Sequence, residues 1–278
     1  MTIRRLAAPL IAGTLVLTSC ADRHPAAELV VGSGSDPESV LLADIYVAAL
    51  RSYGFAAHGE TANEPMAKLD SGQFTVVPAF TGKVLQILQP SAAVLSDAQV
   101  YRAMIAALAE GVLAGDYATA AEDKPALVVT GSTAKAWGGS ELSELPGRCD
   151  GLVIGIVTGA RVPASVGSCP LPAPHEFADG TAMLAALRSG ELTAAWTTTA
   201  TPDTPADLVV LADGKPALIQ AENVVPLYRR NALTDRQLLA LNEVAGVLDT
   251  AAPTVPRSVR AAHLGPRLRR SAGQLRPW

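Results

Sequence analysis

Apolar and polar positions change period repeatedly along the chain. Leu29-Val30-Val31 is a short β-rich run that ends in Gly32-Ser33, a strand running into a loop. Ser35-Asp36-Pro37-Glu38 then supplies cap residues and an early proline. After it Leu42, Ile45, Tyr46, Ala49 and Tyr53 recur at helical spacing, with Asp44 and Arg51 opposite, until Gly54 stops the helix. Ser96 with Gln99 and Thr234 with Gln237 have capping-box spacing and predict helices running to about Gly115 and Asp249. Strands are expected at Phe74 to Phe80, Ala126 to Thr130, Leu152 to Val157, Leu192 to Thr198, Leu208 to Leu211 and Val224 to Tyr228. Strand, turn and helix keep exchanging, which is the pattern of an α/β protein.

One phrase occurs twice. Leu69-Asp70-Ser71-Gly72-Gln73-Phe74-Thr75-Val76-Val77 is echoed by Leu187-Arg188-Ser189-Gly190-Glu191-Leu192-Thr193-Ala194-Ala195. Each reads as a last helical turn, a glycine where positive φ is tolerated, and a strand. Two such units in separate halves predict two similar lobes. Ligands of open α/β sheets bind beyond the carboxyl ends of strands, so Pro78 to Gly82 and Trp196 to Thr201 are candidate walls of one cleft.

The first twenty residues differ in kind. Arg4 and Arg5 precede an uncharged apolar stretch from Leu6 to Leu17, followed by small residues and Cys20, the layout of an export signal. Leu17-Thr18-Ser19-Cys20 matches the bacterial lipobox, which makes residues 1–19 a signal peptide and Cys20 the lipidated first residue of a tether over 20–27. The remaining cysteines, Cys149 and Cys169, are expected to pair as a disulfide in an exported protein. Later apolar runs are broken by charge, Gly or Pro before the ~20 residues that a membrane span needs.

Composition narrows the function. The 278 residues carry 22 basic and 26 acidic side chains, a net charge of -4, so there is no basic excess for a nucleic-acid partner. Loss of a leader holding Arg4 and Arg5 makes the balance more acidic. The four histidines are scattered, and no CxxC, HExxH, G-x-S-x-G or phosphate-loop spacing occurs, so no metal, cofactor or enzymatic chemistry is expected. Six arginines between Arg257 and Arg276 read as a solvated face or loose end. What remains is a set of loop hydroxyls and aromatics able to hold a small solute, among them Ser33, Ser35, Thr81, Thr198, Phe80 and Trp196.

Several phrases together resemble the substrate-binding proteins of osmoprotectant ABC importers, which recognise glycine betaine, choline and carnitine. They are Val31-Gly32-Ser33 before a capped helix, Val77-Pro78-Ala79-Phe80-Thr81-Gly82, Trp196-Thr197-Thr198 after the second echo, and Asn223-Val224-Val225-Pro226-Leu227. Ser143-Glu144-Leu145 stands where that family has a Ser-Asp-Leu turn. The resemblance implies an α/β type II periplasmic binding protein fold with a hinge and central cleft. Lobe 1 would take 28–127 and 213–278, and lobe 2 would take 128–212.

It also implies a site. A quaternary ammonium donates no hydrogen bonds and is held by aromatic faces, and Phe80 takes the place of a cage tyrosine. Glu222 replaces an aromatic before Asn223, Thr75 and Thr193 replace aspartates, and Arg161 stands roughly where a carboxylate-binding arginine is found. The resemblance-derived ligand set is therefore Ser33, Ser35, Phe80, Thr81, Arg161, Trp196, Thr198, Glu222 and Asn223. The chain would act as a monomeric, extracytoplasmic lipoprotein, anchored through Cys20 to a bacterial cell membrane, that hands a small solute to an ABC permease. Two readings stay open beside it: a neutral or aromatic solute in the same fold, and a surface interaction lipoprotein without transport.

Overall fold

The computed structural model describes residues 28–248, apart from 120, 202 and 203. The leader, Cys20, the tether and the arginine-rich tail lie outside the described residues.

Chain order is strand Leu29–Ser33 (β1), helix Pro37–Ser52 (α1), strand Ala57–Thr61 (β2), helix Pro65–Ser71 (α2), strand Val76–Phe80 (β3) and helix Thr81–Leu88 (α3). Helix Asp97–Ala107 (α4) and strand Val112–Ala114 (β4) complete this first passage. The chain then crosses into strand Pro125–Thr130 (β5), helix Gly131–Trp137 (α5), strand Ile154–Val157 (β6) and short strands Ser165–Val166 (β7), Cys169–Pro170 (β8) and His175–Phe177 (β9). Helix Gly180–Ser189 (α6) and strands Ala194–Thr198 (β10) and Leu208–Val210 (β11) follow. It returns through strand Val224–Arg229 (β12) and ends in helix Asp235–Val247 (α7).

One sheet has the order β2-β1-β3-β12-β4 and the other β9-β6-β10-β5-β11. In both, the first three strands are parallel and the fourth runs antiparallel to its neighbours. The two sheets are thus the same device built twice, and the echoed phrase is its sequence mark. Gly72 and Gly190 cap α2 and α6 with φ of 80° and 81°. The threonine that follows each clips two strands together. Thr75 N–H donates to Val30 O at 2.8 Å while its hydroxyl accepts from Val30 N–H at 3.2 Å. Thr193 repeats this on Val153, at 2.8 and 3.1 Å. The threonines that replace the family's aspartates therefore bind backbone.

Two residues beyond each clipped valine stands a glycine. A Cβ on Gly32 would lie 1.9 Å from the Phe74 ring, and one on Gly155 would lie 2.5 Å from Leu192 Cδ1. Phe74 and Leu192 occupy equivalent places in the echo, so both lobes need a bare backbone under the same apolar side chain.

All six expected strands form, with shifted ends, but short strands β2, β4, β7, β8 and β9 escape the pattern. The Thr234 capping box is complete. At Ser96 the hydroxyl bonds the Gln99 side chain at 2.9 Å instead of the backbone. α4 stops at Ala107 rather than near Gly115, because Gly111 turns with φ of 89° and the next residues join β12 as β4. α7 stops at Val247, where Leu248 is extended. Cys149 and Cys169 are bonded, closing the loop that carries β7 and β8.

The chain passes twice between the sheets. β5 pairs in the second sheet from Pro125 onward, and Leu218 and Ile219 still pack in the second lobe's core. Residues from about Pro125 to Ile219 thus pair or pack with the second sheet. Tyr46, Leu50 and Val76 centre one core beneath the first sheet, and Leu127, Ile154 and Leu145 centre another beneath the second.

Gly32→Ala should lower stability by about 1–3 kcal/mol through overpacking against Phe74. Gly155→Ala should cost less, since the end of a leucine can move. Urea unfolding midpoints check both; unchanged midpoints would deny that these strands carry equivalent close contacts.

Candidate functional site

The two crossovers lie side by side. Glu122 and Asn223 form an antiparallel bridge, and Asp123 N–H donates to Glu222 O at 2.9 Å. The Asp213 side chain, 5% exposed, ties them further: its carboxylate pairs with Lys124 Nζ at 3.2 Å and accepts from Leu218 and Ile219 N–H. Each crossover is also clipped to the strand exit beside it. Thr81 N–H donates to Asn223 O at 2.9 Å, and its hydroxyl accepts from Asn223 N–H at 3.0 Å. Thr199 does the same to Lys124, at 3.0 and 3.2 Å. The pseudo-repeat thus continues to the junction, where Asn223 corresponds to Lys124 and Glu222 to Asp123.

These clips involve some of the expected residues. Thr81 is fully buried and its hydroxyl is committed to the backbone of Asn223. The Asn223 side-chain amide donates to Ala118 O at 3.0 Å, while its buried Oδ1 has no partner among the described residues. Both residues hold the crossover in place. Trp196 is 4% exposed and packs in the second lobe's apolar core, because its position on β10 points it inward, paired across from Leu127. Thr198, the equivalent of Phe80, bonds Thr201 through its N–H and its hydroxyl, and the Thr197 hydroxyl donates to the same Thr201 oxygen, a hydroxyl cluster at the β10 exit. Ser33 is buried at the end of β1, and Ser35 is exposed just ahead of Asp36, the N-cap of α1. Arg161 is exposed on the loop after β6 and makes no ion pair among the described residues.

What gathers at the β3 exit is a cluster of charge around Phe80. The ring is 7% exposed, and Lys83 Nζ stands over it, 4.2 Å from its centroid. The same ammonium is 3.4 Å from Asp123 on the first crossover and 4.0 Å from Glu38 on α1. Glu222, on the return crossover, accepts from Lys83 N–H at 2.8 Å. A side chain on Gly82 would strike the carbonyl of Ala221 and the carboxyl of Glu222, so this helix start requires glycine. Two carboxylates, from α1 and the first crossover, therefore face the ammonium, and a third, from the return crossover, is held by the Lys83 backbone beside it.

Burial, with Asp123 as the next cause, pushes the Glu38 carboxyl up to about 7. Burial also raises Glu222 to about 7, against the opposing pull of the Lys83 backbone and ammonium. Removing charge from water disfavours the ionised form of both, so the cluster takes up or gives off protons near neutrality. Chemically it is a seat for a cation: one aromatic face and a surplus of carboxylates.

Of the residues expected from sequence, the structure brings Phe80, Thr81, Glu222 and Asn223 together. It adds Lys83, Glu38, Asp123, Lys124 and Thr199. The adjacent charges Glu122-Asp123-Lys124 immediately before a strand proline were the available signal for a junction. Lys83, three residues after Phe80, was visible as the nearest cation.

The comparisons with known proteins agree with this architecture. The family model described as the substrate-binding domain of ABC-type glycine betaine transport systems matches residues 27–166. No curated protein sequence matches the chain. Among solved structures, a glycine betaine/carnitine/choline ABC transporter protein superposes with a TM-score of 0.69 at 14% identity, covering 86% of this chain and 98% of that one. Apo YehZ from Escherichia coli gives 0.61 at 16% identity, covering 89% and 97%. An ancestral cationic amino acid solute-binding protein gives 0.51 at 13%, covering 88% and 94%. At such identities the structures report the shared two-lobed fold. The duplicated sheets, the double crossover and the matched half of the sequence place the chain in the family of substrate-binding domains of ABC-type glycine betaine transport systems, the non-enzymatic solute receptors of such importers.

Proposed function

We propose that this chain is a lipid-anchored, extracytoplasmic receptor that closes its lobes around a small quaternary ammonium solute and presents it to an ABC permease. The observation that carries the ligand class is the ammonium already seated 4.2 Å from the Phe80 centroid, among Glu38, Asp123 and Glu222. A methylated ammonium makes the same attraction to a ring face without needing acceptors for hydrogen bonds. The lobes of this reading are 28–121 with 222–248, and 125–219. They move about the paired crossovers, with solute binding selecting the closed arrangement. The anchor rests on Leu17-Thr18-Ser19-Cys20, and Cys20→Ser should move the exported chain from the membrane fraction to the soluble one. Retention of that variant on the membrane would remove the lipid from the account.

Calorimetry with choline, glycine betaine and carnitine tests the ligand class. Phe80→Ala should weaken the solute that binds about ten-fold, the loss expected when a ring face is removed from a partly desolvated cation. Binding that is unchanged would take Phe80 out of the site.

The carboxyls set the pH dependence. A cation favours the ionised forms of Glu38 and Glu222, both at about 7, so choline affinity should rise between pH 5.5 and 8 and binding at pH 7 should release protons. For the free protein the sign is opposite. The raised carboxyls add stability that is full below their ordinary value of 4.5 and lost as the pH climbs through 7. Affinity that falls with rising pH would contradict the seat described.

A further inference from the structure

We propose that Lys83 is a resident cation: it holds the ligand's place over Phe80 in the empty receptor, and a solute must displace it to bind. This rests on the reading of the cleft given above and deepens it. Phe80 is buried in the first lobe's core and the Lys83 ammonium stands over its ring, so a cation that takes that ring face must take the ammonium's place. The lysine is built to leave. Its side chain is half exposed, it starts from the first turn of α3, and its partners Asp123 and Glu38 are held by other elements. Glu222 stays behind, fixed by the Lys83 backbone N–H rather than by the ammonium.

Charge then names the solute. With Lys83 swung into solvent, Glu38, Asp123 and Glu222 face one incoming cation, and an acidic group on the same solute adds a fourth carboxylate to the cluster. The seat therefore selects choline-like cations over zwitterions such as betaine and carnitine. The exchange also reaches the junction between lobes. Lys83–Asp123 ties α3 of the first lobe to the first crossover, so a solute that takes the lysine's place releases that tie. Binding loosens the junction in the same step that fills the cleft.

Two measurements on the Cys20→Ser chain test this. The first needs no ligand. The Lys83 ε-methylene protons should show an upfield ring-current shift by NMR, absent in Phe80→Ala, and should move to the free-lysine position as choline saturates the protein. The second compares choline, betaine and the neutral isostere 3,3-dimethylbutanol by calorimetry. Lys83→Met should tighten choline by about ten-fold, by removing a competing ammonium from the aromatic face. The neutral isostere should gain less.

Absence of the ring-current shift, or its persistence at saturating choline, overturns the resident-cation proposal and leaves the receptor reading intact. Weaker betaine binding in Lys83→Met would make the lysine a carboxylate contact and also overturns it. A ring-current shift with no solute bound by either protein sinks the quaternary-ammonium reading, and this inference with it.

Discussion

The structure depends on one strand pairing made between distant parts of the chain. β3 and β12 run antiparallel, Val76 to Phe80 against Tyr228 to Val224, and so return the chain to the lobe it left. Without that pairing the first sheet would lack its fourth strand and β4 its only neighbour. The register decides more than stability. By placing Val224 opposite Phe80, it sets Asn223 on Thr81 and Glu222 against the start of α3, where the candidate seat is assembled.

The second sheet repeats this arrangement with β10 and β5, down to the Thr199 clip on Lys124. The repetition explains why the charged junction is nearly symmetric in backbone and asymmetric in chemistry. Equivalent positions carry Phe80 and Thr198, Lys83 and Thr201, Glu222 and Asp123. The first lobe supplies the aromatic face and the ammonium, while the second supplies hydroxyls bonded to one another. Carboxylates come from both crossovers, so the cation at the β3 exit lies against the segments that join the lobes. The ionisation of Glu38 and Glu222 near neutrality follows from their burial beside other acids, since both desolvation and a neighbouring negative charge favour the protonated form.

Much of the fold was legible because it is written in local signals. The Ser-Gly echo marked two helix ends and two strands, and the Thr234 box marked the start of α7. β4 and β9 were not legible, since they exist through their neighbours rather than their own pattern. The cluster at the β3 exit was legible only in part. Phe80 and Glu222 could be found from phrases around them, but Trp196 looked like a cleft residue because strand phase, which turns it into the core, depends on register. Thr81 and Asn223, read as ligand residues, bond each other across the crossover. Glu38 and Asp123 were missed because nothing in their local sequence shows that they converge on Lys83 from different elements.

The central claim is that the β3 exit seats a cation on Phe80 between the two crossovers. A crystal structure of the chain grown with choline tests it most directly. The trimethylammonium is expected within about 6 Å of the Phe80 centroid, with Glu38, Asp123 and Glu222 around it and the lobes closed. Choline bound elsewhere, with Lys83 still over the ring, would contradict it.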